Sequence, residues 1–481
     1  MLSLLFLPLS AYPLYKGGMS MLERIADALW QPWLLGLFLV VGLWCTALGG
    51  FFPFFHLKTW LMGSVGTLFR GKKGSGAGGL TQFQALATAL ASTIGTGSIA
   101  GVATAIFFGG PGAVFWMWVS ALLGLATGFV EKTLAVKYRG QGREGPFGGP
   151  MVYLVKRLGW RLGAWCFSLW CVFASLSGGA LVQSNSISAA LAAAFGWNRL
   201  TVGAVTALCT GAVILGGIGR VGKVSEKLVP AMALLFLGSG LAVLVCHREN
   251  LLPALGQIVT YGLAHQTAPR AMVSGGAGYG LSTALRYGIA RGVFTNEAGV
   301  GSSAIAHAAA DTDSPIREGF WGMFEVLFAT LVVCTVTALC ILTSGVYDPE
   351  RALLALNTGT VTESMTGAPL AGAAFATLFG RWGRVIVALC LLLFAFTSLL
   401  GWSYYGERGL AHLTGDDRGK GAFRFLFLLT VCAGSVGGVG QVWALSDICN
   451  GLMAVPNLIA VAVLAPEIWR DLRAYRNRGG C

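Results

Sequence analysis

Residues 82–107 read QFQALATALASTIGTGSIAGVATAIF, without one charged side chain. An apolar stretch of about 20 residues crosses a bilayer as a helix, because backbone groups in hydrocarbon must find their partners within the segment. At the middle of this stretch stands Ser92-Thr93-Ile94-Gly95-Thr96-Gly97-Ser98. Glycine weakens a helix, and serine and threonine offer its backbone competing hydrogen bonds. The expectation is a membrane helix broken at bilayer depth, with free carbonyls upstream of the break and free amides downstream.

The charge-free run around it extends from 74 to 130, and another covers 385–406. Across the chain 55% of residues are hydrophobic and 11% charged, against roughly 25% charged in a soluble domain. No soluble core hides that much apolar surface, so the solvent of this protein is the lipid bilayer, and the fold class expected is an all-α integral membrane protein. A net charge of +13 would raise nucleic acid as a partner in a soluble protein. Here loop charges account for it, and no nucleic-acid partner is expected. The eleven cysteines show no CxxC pair, and Cys166, Cys171, Cys334 and Cys340 lie in apolar runs, where cysteine serves as a small core residue. The apolar start, residues 1–15, lacks the basic opening and small-residue cleavage site of a signal peptide and is set outside the fold.

Hydropathy places a first helix near 33–54, then a basic linker with Lys58, Arg70, Lys72 and Lys73, then ten further apolar segments. These fall near 82–107, 112–136, 164–195, 200–217, 226–246, 281–308, 320–345, 383–406, 423–440 and 445–466, making about eleven transmembrane helices. With the basic linker in the cytoplasm, alternation puts most of the 33 lysines and arginines on that side, Lys132, Lys137, Arg139 and Arg143 among them. The bias predicts an N-terminus outside and a C-terminus in the cytoplasm.

A second cluster, Thr295-Asn296-Glu297-Ala298-Gly299-Val300-Gly301-Ser302-Ser303, interrupts the seventh segment, five after the first interruption. Interrupted segments at matching places in two halves point to a transporter's binding site. A half-helix N-terminus offers amides and positive dipole to a carboxylate, while unwound carbonyls suit a sodium ion or an ammonium group. A zwitterionic amino acid satisfies both ends. The alternative is that both clusters are glycine packing seams. Gln183, Ser184 and Asn185 in the fourth segment, and Thr397, Ser398 and Trp402 in the ninth, are polar groups that need partners in lipid. Singly each reads as an interhelical hydrogen bond; together they read as a cage around the breaks. Among the carboxylates, Glu131 reads as a helix-end ion pair with Lys132 and Lys137, Glu297 as a brace for freed amides or a proton relay, and Asp447 as an N-cap.

Several stretches, in order from about 79 to 456, resemble the alanine or glycine:cation symporter family: IGTGSIAGVA at 94–103, GGPGAVFWMW at 109–118, GGPM at 148–151, QSNS at 183–186, RGVFTNEAG at 291–299 and GWSYYGE at 401–407. The resemblance implies a five-plus-five inverted repeat, leucine-transporter-like, with one extra N-terminal helix. It also implies import of alanine and/or glycine driven by sodium, in a cell (inner) membrane, with no cofactor and no enzyme chemistry. Carried onto this chain, the substrate carboxylate meets amides near Thr96, Gly97 and Ser98. The ammonium meets carbonyls around Thr93 and Thr295, with Gln183 and Asn296 as side-chain partners, and Ser398 and Trp402 close the pocket. Sodium lies between the carbonyls of Ala91 and Ile94 and the hydroxyls of Thr397 and Ser398. The chain then divides into an extension (1–31), the extra helix (32–57), a basic linker (58–81), the first five-helix repeat (82–246), an extracytoplasmic connection (247–280), the second repeat (281–466) and a cytoplasmic tail (467–481).

Three positions depart from the family pattern: Ser98 where the family has Asn, Ser398 where it has Thr, and Ala329 where it has Asp. They bear on substrate choice and ion coupling, so the same scaffold coupled to protons, or carrying another small solute, is the competing expectation. A membrane enzyme or sensor is the third. No HExxH, GxSxG or Walker loop occurs in the chain, and the tail after Pro466 is short for a signalling domain.

Overall fold

The computed structural model describes residues 20–68, 79–142, 145–263 and 281–479, and these are helical apart from connecting loops and one short hairpin, Gly140–Gly142 against Gly145–Phe147. The N-terminal extension up to residue 19, Arg70, Lys72, Lys73 and Arg143 lie outside the described residues. Among the described residues, seven helices are long and apolar enough to cross a membrane: Met21–Leu48, Gly112–Lys137, Arg161–Phe195, Gly217–Cys246, Pro315–Thr343, Arg381–Thr414 and Gly440–Asn477. The four other expected spans differ for two reasons. Two are broken, into Gln82–Thr93 with Ala100–Gly109 and into Leu281–Asn296 with Ala304–Ala308. The other two, Arg199–Ile214 and Lys420–Gly434, have 16 and 15 residues.

The surface that faces lipid is apolar: Leu208, Leu234 and Leu252 are 75%, 74% and 79% exposed. In water such a surface would associate; in a bilayer it is the solvated face. The first span also ends earlier than hydropathy suggests. Helix Pro32–Leu48 closes where Gly50 and Phe51 both take φ 58, and Lys58 of the expected linker falls in the short helix Leu57–Gly63. Leu251–Leu263, in the expected connection, and Gly367–Phe379 are helices of 13 residues, too short to cross at about 1.5 Å per residue.

Packing around the breaks is close. At Gly401, on the long helix Arg381–Thr414, a Cβ would lie 2.9 Å from Ser92 Cβ, so this helix and the first half of the broken helix meet at backbone distance. Two helices loosen into π-helical turns beside the breaks, at Ser175–Val182 and at Leu327–Cys334, a feature common at functional sites. The first half of one broken helix is tied to the second half of the other. Leu80 N donates to Ala309 O at 3.0 Å, Asp311 N donates to Leu80 O at 2.6 Å, and Gln82 Nε2 donates to Thr312 Oγ1 at 2.7 Å.

Candidate functional site

The helix Gln82–Thr93 starts with a capping box between Thr81 and Gln84 and ends at Ile94, whose ψ of 72° leaves the helical region. Gly95 is extended, Thr96–Ser98 form a single 3-10 turn, and the helix resumes at Ala100. This interruption is fully buried. Ser398 Oγ donates to Ala91 O at 2.9 Å and approaches Ser92 O at 3.3 Å. The Thr96 amide points at Gln183 Oε1, 3.4 Å away, while Gln183 Nε2 donates to Gly178 O at 3.1 Å. Glycine is required by close approach here: a Cβ on Gly95 would lie 2.6 Å from Ser398 Oγ, and one on Gly97 would lie 2.8 Å from the Phe294 ring and 3.3 Å from Thr295 Oγ1. Thr337 Oγ1 donates to Ser98 O at 2.8 Å; the Thr96 hydroxyl is buried with no hydrogen-bond partner among the described residues, and the Ser98 hydroxyl has only the Cys334 thiol beside it.

The second break runs from Glu297 to Ser303, with positive φ at Glu297 (52°), Gly299 (87°) and Gly301 (93°). A helix cannot continue through such backbone. Asn296 Oδ1 accepts from the Ala298 amide at 3.0 Å, its Nδ2 donates to Thr330 Oγ1 at 3.2 Å, and Ser302 Oγ donates to Glu297 Oε2 at 2.5 Å. Glu297 thus braces the break through a hydroxyl. Thr295 Oγ1 turns back to Arg291 O at 2.7 Å, as Thr93 Oγ1 does to Ala89 O at 3.1 Å, which leaves the main chain at both positions as the candidate for ligand contact. Trp402, four residues after Ser398 on one helix face, packs against Gly179, where a Cβ would lie 2.5 Å from Trp402 Cβ. Its ring meets Tyr405 edge-on at 5.5 Å, and Tyr405 OH hydrogen-bonds Ser92 Oγ at 2.8 Å.

Some expected cage members point elsewhere. Ser184 Oγ donates to Val431 O at 2.5 Å, and Asn185 Nδ2 donates to Gly437 O at 2.8 Å, so both serve the packing of the neighbouring helix Lys420–Gly434 and the loop after it. Thr397 Oγ1 bonds Phe394 O at 3.0 Å and faces Met232 Sδ at 3.5 Å, away from the Ala91 carbonyl that Ser398 reaches. Asp447 is not an N-cap: it lies within Val439–Asn477 and accepts both amino groups of Arg291, at 2.9 and 3.3 Å. Glu131 is not at a helix end in water. It is wholly buried and pairs with Lys132 at 3.1 Å, while Lys137 pairs with Glu467 and Asp471.

Sequence reasoning missed the most charged interior feature. Lys132 Nζ also lies 3.5 Å from Glu325 Oε2, and His307 bridges Glu318 at 2.7 Å and Glu325 at 3.2 Å, all with side chains at 0% exposure. The available signal was Glu318 and Glu325, seven apart and so on one face of a helix that runs into an apolar segment.

A family model for the sodium:alanine symporter family matches residues 16–479. This chain belongs to the sodium:alanine symporter family. Among its relatives, the sodium/alanine symporter AgcS of Methanococcus maripaludis is 38% identical, over 95% of this chain and 97% of the relative. The probable sodium/glutamine symporter GlnT of Bacillus subtilis is 36% identical, over 93% and 89%. The putative sodium/proton-dependent alanine carrier protein YrbD of Bacillus subtilis is 34% identical, over 94% and 91%. Among solved structures, an Eremococcus coleocola manganese transporter superposes with a TM-score of 0.50 at 17% identity, over 77% of this chain and 74% of that one, a likeness of fold alone. Membership of the family makes the chain a multi-pass membrane transporter, not an enzyme.

Proposed function

We propose that the protein imports a small neutral amino acid, alanine and/or glycine, together with sodium, by alternating access. The observation that carries the reading is the first break, where the Thr96 hydroxyl is buried without a partner among the described residues and the Ser98 hydroxyl has only the weakly bonding Cys334 thiol, beside Gln183 and Ser398. Amides of residues 96–98 take the substrate carboxylate, and carbonyls of Thr93 and Thr295 with the side chains of Gln183 and Asn296 take the ammonium group. Trp402 closes the pocket together with Ser398, and the bulk of its indole excludes large side chains. Sodium lies where Ser398 Oγ now meets Ala91 O, with Ile94 O and the Thr397 hydroxyl after a rotamer change. The proposal includes eleven spans in a five-plus-five inverted repeat behind an extra first helix, the N-terminus outside and the C-terminus in the cytoplasm. The gradient and potential drive uptake, at about 2.3 kcal/mol per charge per 100 mV.

Purified protein in liposomes should accumulate labelled alanine or glycine with an inward sodium gradient and not with potassium in its place. Gln183→Ala and Ser398→Ala should each abolish accumulation. Uptake that ignores sodium and follows a proton gradient would favour the second reading, proton coupling, which draws on the buried Glu297.

A further inference from the structure

The five side chains Glu131, Lys132, His307, Glu318 and Glu325 are buried to 0% exposure on three elements: Gly112–Lys137, the short second half of the broken helix Ala304–Ala308, and Pro315–Thr343. At their centre His307 faces a carboxylate with each ring nitrogen, Nδ1 to Glu318 Oε1 at 2.7 Å and Nε2 to Glu325 Oε2 at 3.2 Å. A neutral imidazole brings one N–H and one lone pair. It therefore satisfies one carboxylate and sets its lone pair against the other. Two links need a second proton, on the ring or on a carboxyl.

Among the described residues the Ser303 hydroxyl also bears on Glu325, and Tyr405, facing Glu325 from Arg381–Thr414, is engaged with the Ser92 hydroxyl; neither fills the lone pair of the ring. Lys132 is divided between Glu131 at 3.1 Å and Glu325 at 3.5 Å. Glu131 takes its other contact from Asn457, which also donates to Gly299 O at 3.0 Å and accepts from Tyr153 OH. Glu297, close by in the break, has the Ser302 hydroxyl. Arg139, whose charge acts on Glu318 from a distance, gives its amino groups to the carbonyls of Ala310, at 2.5 Å, and Thr312, at 3.0 Å. Four carboxylates thus face one lysine, one histidine and the more remote charge of Arg139, and the charges approach balance only with protons added. In a dry interior such charges are barely screened.

We propose that His307, with Glu318 and Glu325, is a proton-binding site that latches the second half of the broken helix to the helices on either side. Protonated, the ring holds the arm by two charged hydrogen bonds; deprotonated, a lone pair meets a carboxylate and this hold is lost, leaving the Arg139 and Leu80 hydrogen bonds as the remaining ties. The proton enters from water and returns to it, with no other group consumed. Its role in transport rests on the symport reading above: the step that moves the arm is slowed in acid and released as pH rises.

The site is tested first without transport. With His56, His247, His265 and His412 replaced, nitrogen-15 NMR reads His307 alone, and infrared spectra of wild type, Glu318→Gln and Glu325→Gln read protonated carboxyl groups. The expected result is a doubly protonated ring, or a carboxylic-acid band lost in one of the variants, that gives way as pH is raised through the range in which the protein stays folded. A singly protonated ring with no such band across that range overturns the proposal. In liposomes, sodium-driven uptake should rise about threefold or more over the same range in wild type and stay nearly flat in His307→Gln; an unchanged pH profile in that variant overturns the latch. If His307→Gln does not fold, Glu318→Gln carries the same test. Absence of any sodium-dependent uptake by wild type sinks the transport reading and leaves the spectroscopic result standing.

Discussion

At the first break, residues 94–98, the polar groups are neutral; among the described residues the Thr96 hydroxyl has no partner and the Ser98 hydroxyl only the Cys334 thiol. At the second, residues 297–303, side chains close on one another and on the main chain: Ser302 on Glu297, Asn296 on the Ala298 amide, Asn457 on Gly299 O. Both interruptions are buried and both rely on glycine, but for different ends. Gly95 and Gly97 let neighbouring helices approach the main chain, whereas Gly299 and Gly301 supply positive φ. One break is left with hydrogen-bonding capacity for a ligand; the other is held in shape and wired to buried charge. Two interruptions with similar composition can therefore divide the work of binding and of movement.

The comparison is broken most severely at the charged side. Lys132→Met leaves Glu131 and Glu325 buried without their shared cation, and should destabilise the protein by about 3–5 kcal/mol, seen as a collapse of the monodisperse peak and of the unfolding midpoint in detergent. Stability within error of wild type would mean the second break is not anchored by charge. Gly97→Ala probes the other side: its Cβ meets Phe294 at 2.8 Å, so uptake should fall by about two orders of magnitude, equivalent to ~3 kcal/mol, with the unfolding midpoint little changed. Equal losses of fold and function would erase the contrast.

Smaller effects sharpen it. Ser398→Ala removes one hydrogen bond, to Ala91 O at 2.9 Å, worth about 1 kcal/mol of stability. Its effect on stability is thus small, although sodium-driven accumulation should be abolished and any residual equilibration of substrate should no longer depend on sodium. Asp417, in the loop after Thr414, accepts from Arg408 at 3.1 Å and Lys420 at 3.2 Å. Burial pushes its carboxyl up, but these two cations hold it below the ordinary value. Its contribution is present at neutral pH and fades as pH falls through that lowered value. Asp417→Asn, far from both breaks, should leave uptake almost unchanged and slightly reduce the acid sensitivity of the unfolding midpoint.

Both breaks were legible because SerThrIleGlyThrGlySer and the 295–303 run put glycine and hydroxyls where lipid demands a helix. Gln183 and Ser398 were legible as polar groups in apolar spans, and each lies against the first break. Ser184 and Asn185 were not separable from Gln183 by sequence, because the π-helical turn at Ser175–Val182 resets the helix phase just before them. Asp447 resembled a cap at the start of an apolar segment, but its helix begins earlier, at Val439, and its partner Arg291 is distant in sequence. The His307 cluster needs three elements to meet, which no periodicity along one of them reveals. The helices Leu251–Leu263 and Gly367–Phe379 escaped because a window tuned to about 20 residues passes over short ones.

The backbone tie between Leu80 and residues 309–311 makes the start of one broken helix and the end of the other a single lever. Arg139 rivets the same corner through Ala310 and Thr312. Neither arm can swing alone without tearing a two-sided ladder rung, so in the transport cycle proposed above a push delivered at one break would arrive at the other as rotation of a shared axle.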